Sequence, residues 1–192
     1  MLSCWNQSET NVGLIAREVS IEVDELLASL DGSIAILNLE FSSSPFDSQS
    51  LAQVKSLCQE INWALGRLLF LSVSLPVELQ DRFARLAGIL DHRNIGDIMA
   101  VLSIVEQALR TGNALPEALP TPLLKQCHEY WQNSSLEIIS TRDQIRDENY
   151  RKFCVAVSSY LNFLSAVDEL VLVVKGTLGE SHIISKELPE GV

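Results

Sequence analysis

The sequence predicts an all-α fold, a bundle of five or six helices with a long C-terminal helix. Three observations predict it. Apolar residues recur every three or four positions along most of the chain, which is the period of one helix face. Capping residues and helix breakers stand at the ends of those periodic runs. No run competes as a strand: VLVV at 171–174 is β-like in composition but stays in phase with the helical repeat.

The first helix is expected from Asn11. Val12, Ile15, Val19, Val23, Leu26, Leu30, Ile34 and Leu37 form its apolar stripe, with Glu18, Glu22 and Glu25 on the other side. Residues 1–10 are polar and read as a disordered N-terminus. Asn38 to Asp47 is a loop, because three serines and Pro45 do not continue a helix, and Phe41 and Phe46 are placed to pin it to the core. Asp47 or Ser48 caps a second helix with a stripe of Leu51, Val54, Leu57, Cys58, Ile61, Leu65, Leu68 and Leu69. Between Trp63 and Val73 that helix is apolar nearly all round, so it is expected at the centre of the core. Pro76 opens a short third helix with Leu79, Phe83, Leu86 and Leu90 inward.

The stretch from Gly88 to Leu124 is the most densely specified. Asp91 or Asn94 caps a helix with Ile95, Ile98, Met99, Leu102, Val105 and Leu109 inward, Gly96 and Ala100 are small enough for a close neighbour, and Gly112 stops the helix. Leu115 and Leu119 pack down from a proline-stiffened loop. Thr121 caps and Pro122 opens the next helix, whose apolar side is Leu123, Leu124, Cys127, Tyr130 and Trp131. A last helix follows over roughly 141–178, about 57 Å long. Its seam is Tyr150, Phe153, Val157, Tyr160, Leu164, Val167, Val171, Val174 and Leu178, with gaps alternating three and four as in a coiled coil. Residues 11–179 therefore form one helical domain, and 180–192 a mobile tail.

Bulk properties narrow the function. The formal charge is −11, from 25 acidic against 14 basic residues, which disfavours nucleic acid and anionic lipid. The four cysteines match no zinc or redox spacing and read as reduced small hydrophobes. The N-terminus has no signal-peptide core, and no run is read as a membrane span. The best candidate, Ile61 to Leu75, carries Arg67 and is shorter than the roughly 20 residues needed.

No catalytic device stands out. The three histidines lack metal-ligand spacing, there is no nucleophile elbow and no phosphate-binding glycine loop, so neither enzyme activity nor a cofactor is expected. Three features have both a structural and a functional reading. Arg67, in the apolar second helix, either reaches the surface or faces a ligand or partner groove. Asp91, His92, Arg93 and Asp97 form either a capping knot or a pH-sensitive partner contact. The seam from Tyr150 to Val174 is either intramolecular core or a docking face for another helix.

The helix IGDIMAVLSIVEQALRTG, the loop ALPEALPTPLL, the ending LVLVVKGTLGE and the upstream LCQEINWALGRLLFLSVSLP resemble the C-terminal soluble region of the fungal aromatic acid exporter-like family. These are membrane proteins related to the brefeldin A-sensitivity protein and, more remotely, to fusaric acid resistance transporters. The resemblance covers roughly 24–180. It implies a non-enzymatic cytosolic helical domain that follows transmembrane helices and serves assembly or regulation. Its partner would be the transmembrane region of a parent protein or another protomer, at the cytoplasmic face of a membrane. The alternatives are a standalone cytoplasmic adaptor and a bundle that binds an aromatic acid at Arg67.

Overall fold

The computed structural model describes residues 3–37, 46–89, 91–133 and 146–181. Among them are helices α1 (Ser3–Leu37), α2 (Ser48–Ser74), α3 (Val77–Leu86), α4 (His92–Thr111), α5 (Leu123–Asn133) and α6 (Glu148–Leu178), with the two-residue strands β1 (Leu115–Pro116) and β2 (Glu180–Ser181). The fold is the all-α bundle the sequence predicts. Phe41, Leu90 and the expected start of the last helix near residue 141 lie outside the described residues.

The centre of the bundle is α6. All eight seam residues from Tyr150 to Val174 are buried, and so are Ala156, Ser159, Phe163, Ala166 and Leu170 beside them. The second set widens the buried surface to most of the helix circumference. α2 covers one side, and α3, α4 and α5 pack on others. The seam is therefore internal, and its reading as a docking face is corrected: no side of it is free for a second helix. By length and composition α6 is apolar enough to cross a membrane, contrary to the expectation that no segment passes that test. In this fold most of its apolar side chains are covered by the other helices, with Val155 and Leu172 left exposed.

α2 is less central than its composition suggests. It lies between α1 and α6, and part of its apolar circumference is left to solvent. Its inner face buries Val54, Leu57 and Ala64, while Trp63, Leu69, Phe70 and Val73 are exposed. Asp47 caps it, accepting from the Ser50 amide at 2.7 Å, and Phe46 is buried as expected.

Four smaller expectations differ from the structure. α1 is helical from Ser3, ahead of the start expected at Asn11. Once a helix is nucleated, each further residue adds a backbone hydrogen bond, and polar residues propagate it at little cost. In α4 the buried face is Ile98, Val101, Val105 and Ala108, and Ile95 and Met99 are exposed. Gly96 has no neighbour within 4 Å of a built Cβ, so it makes no close helix contact. The start of the tail is held: β2 pairs in parallel with β1, Leu115 opposite Glu180 and Pro116 opposite Ser181. Lys175 reinforces this strap, bonding Glu180 at 3.0 Å and the Glu117 carbonyl at 3.0 Å. Residues 182–192 lie outside the described residues.

Candidate functional site

The turn between α3 and α4 is a hub of hydrogen bonds. The last carbonyls of α3 have no partner within the helix. Three other helices supply donors. Tyr130 on α5 donates to the Arg85 carbonyl at 3.2 Å, Trp131 to Leu86, and Asn94 on α4 to Ala87 at 3.1 Å. Tyr160 on α6 also donates to Ala87, at 2.8 Å from a buried position. Burial pushes the Tyr160 phenol up to about 12. Gly88 has φ +63°, and a Cβ there would meet the Asn94 amide nitrogen at 2.6 Å, so the turn needs glycine.

Asp91 caps α4, accepting from the Arg93 amide at 2.9 Å. Asp91 and Asp97 line one cleft of about 580 Å³ with Arg93, Asn94, Gln126, Glu129 and Tyr130. His92 is exposed and does not line that cleft, so the structure gathers the two aspartates and leaves the histidine apart. The expected cap of α5 is replaced. Asp168 on α6 accepts from the amides of Leu123 at 2.7 Å and Leu124 at 2.9 Å, in place of Thr121.

Arg67 sits elsewhere, in a cleft of about 380 Å³ between α2 and α6 lined also by Glu60, Trp63, Asn162, Ser165 and Glu169. It is exposed, and the pocket around it is polar and acidic rather than greasy. Two carboxylates beside one guanidinium oppose an anionic ligand. Cys127 is buried, and desolvation pushes its thiol up to about 11, so it is an inert core side chain. Among the described residues no group of three His, Cys, Asp or Glu side chains is placed to hold a metal ion.

The surface that sequence reasoning missed is on α1. This helix packs on α2 through polar contacts. Asn62 donates to the Ser20 carbonyl at 2.8 Å and to Asp24 at 3.0 Å, Trp63 donates to Asp24 at 3.0 Å, and Lys55 pairs with Asp31. Gly66 lets the helices approach, since a Cβ there would lie 3.1 Å from the Ser20 hydroxyl. The apolar stripe read from the sequence is only partly covered: Val23, Ile34 and Leu37 are half-buried, and the other four described members are exposed. Ile15 is 52% exposed, Val19 51%, Leu26 62% and Leu30 44%. None of the described α1 side chains belongs to the core or to the apolar shell packed against it. The periodicity was real, but the burial expected for Ile15, Val19, Leu26 and Leu30 is corrected: the helix turns Ser20, Asp24 and Asp31 toward α2 instead.

Comparison with known proteins adds the following. Residues 1–182 match the brefeldin A-sensitivity protein 4-like domain. An uncharacterised protein of the fission yeast Schizosaccharomyces pombe is 32% identical over 108 residues, which are 54% of this chain and 8% of that protein. The matched stretch thus spans less than a tenth of the relative's length. No solved structure matches the chain. With nearly its whole length matched, the chain belongs to the brefeldin A-sensitivity protein 4-like domain family.

Proposed function

We propose that the chain is a non-enzymatic helical module that serves assembly or regulation of a larger, transporter-like fungal membrane protein by helix docking on the cytosolic face. The observation that carries this reading is the stripe of α1. The core closes without the described side chains of α1, yet that helix holds Ile15, Val19, Leu26 and Leu30 in solvent. A contiguous apolar surface of this kind marks an interaction site. The length of the fission yeast relative supports a module within a longer protein. The finer tie to aromatic acid exporter-like proteins rests on the sequence resemblance and belongs to this proposal.

The test is cell fractionation. The tagged chain, expressed in a fungal host, is expected to sediment with membranes and to be released by salt or carbonate. Leu26→Glu combined with Leu30→Glu is expected to move it to the supernatant. A wild-type chain that stays wholly in the supernatant, or a variant that sediments equally, overturns the reading. A standalone adaptor would then be the better account.

A further inference from the structure

We propose that the α1 stripe docks an amphipathic helix of a partner protein that carries lysine or arginine along its apolar face. This deepens the docking reading above and rests on it. At about 100° per residue, Ile15, Val19, Leu26 and Leu30 fall within a sector of about 60° and extend about 22 Å along the axis. That length and width fit one helix laid alongside. Glu22 projects within about 20° of the stripe's edge, and Glu18 and Glu25 follow within about a further 60°. All three are exposed. Among the described side chains of α1, Arg17 is the sole base, against Glu18, Glu22, Asp24, Glu25 and Asp31.

This charge pattern decides among occupants. A second copy would bring the same acids against each other, and the chain already carries a net −11. Like charges placed opposite each other suppress a wrong partner. An anionic bilayer is repelled for the same reason, and docking there would also desolvate Glu22. A helix with Lys or Arg opposite Glu22 and along the Glu18–Glu25 flank satisfies both the apolar stripe and the carboxylates. Such pairing across a helix seam is how flanking charges choose partners.

The test uses the full chain and two fluorescent model helices of about 18 residues with the same leucine face. One carries lysine on its flanks and the other glutamate. Binding is followed by fluorescence anisotropy at low and high salt. The lysine peptide is expected to bind at least about tenfold more tightly, with the advantage shrinking as salt rises. Val19→Ser with Leu26→Ser is expected to weaken it about tenfold at unchanged circular dichroism and melting temperature. Glu18→Lys, Glu22→Lys and Glu25→Lys together are expected to reverse the preference toward the glutamate peptide. Equal binding of the two peptides, or binding unaffected by the serine pair, overturns the proposal. So does a wild-type dimer in sedimentation that the serine pair dissolves, because the occupant is then a second copy. Recruitment to phosphatidylserine vesicles through the stripe overturns it in favour of lipid. If fractionation responds to the stripe while the peptides show no charge preference, docking stands and only the basic partner falls.

Discussion

The two longest helices among the described residues, α1 and α6, are both apolar along much of their length, and their fates are opposite. Phe153 and Val167 on α6 are 0% exposed, while Leu26 on α1 is 62% exposed. The difference lies in what surrounds each helix. α6 meets four others, and most of its wide apolar surface finds cover among them. α1 meets chiefly α2, through a polar face locked by Asp24, Asp31, Asn62 and Trp63. A helix with one chief neighbour buries one face, and here Ile15, Val19, Leu26 and Leu30 lie off that face. The exposed stripe is thus the part of the molecule whose sequence is least explained by its own fold, which is where a partner is expected.

The contrast between the two helices is open to direct attack, and the largest effect is in the core. Phe153→Ala is expected to cost about 3–5 kcal/mol in urea unfolding, because it opens a cavity in the centre of the bundle. Leu26→Ser on α1 is expected to stay within about 0.5 kcal/mol. Comparable losses at the two sites would mean that α1 is core after all.

A second measurement probes how α6 organises its neighbours. Asp168→Ala removes the acceptor for two amides at the start of α5 and is expected to cost about 1–3 kcal/mol. Hydrogen exchange should rise first at Leu123 and Leu124. Protection that stays unchanged there would show the amides to be satisfied without Asp168.

Alkaline pH offers a third measurement, directed at the hub. Tyr160 is held protonated up to about 12 by burial, whereas an unfolded tyrosine ionises near 10. Below pH 10 both states keep the proton and the contribution of Tyr160 is fully present. Between pH 10 and 12 the unfolded state releases the proton and the folded state does not, so stability falls as pH rises. Tyr160→Phe lacks the hydrogen bond to Ala87 and is expected to be about 1 kcal/mol less stable at pH 7. Its loss between pH 10 and 12 should be smaller than that of the wild type. Parallel stability curves across that window would show Tyr160 to be solvated.

The smallest effect is on the α1 lock. Asp24→Ala removes the acceptor shared by Asn62 and Trp63. Amides of α1 should exchange faster by about 0.5–1 kcal/mol in opening free energy, with the global unfolding midpoint unmoved. A shift of the midpoint by the same amount would show α1 to unfold with the bundle rather than before it.

Much of the fold was legible because its signals are local. Asp47, Asp91 and Gly112 end or begin helices as their chemistry dictates. The seam of α6 was visible in full, residue by residue. The second buried face of α6, with Phe163 and Leu170, was not, since a helix covered from several sides has no polar face to set the phase. Of the expected site residues, Asp91 and Asp97 share a cleft while Arg67 stands in another. Asp168 as a cap for α5 was hidden because its partners are distant in sequence.

By itself, the sequence determined the net acidic charge, which is a sum over residues, and the helical class, the helix ends and the presence of two long apolar stripes, which depend on neighbours within a few residues. Only the tertiary structure decided which stripe is covered. That choice depends on how many helices meet around each one, and on the polar contacts of Ser20, Asp24 and Asp31 that turned α1 the other way.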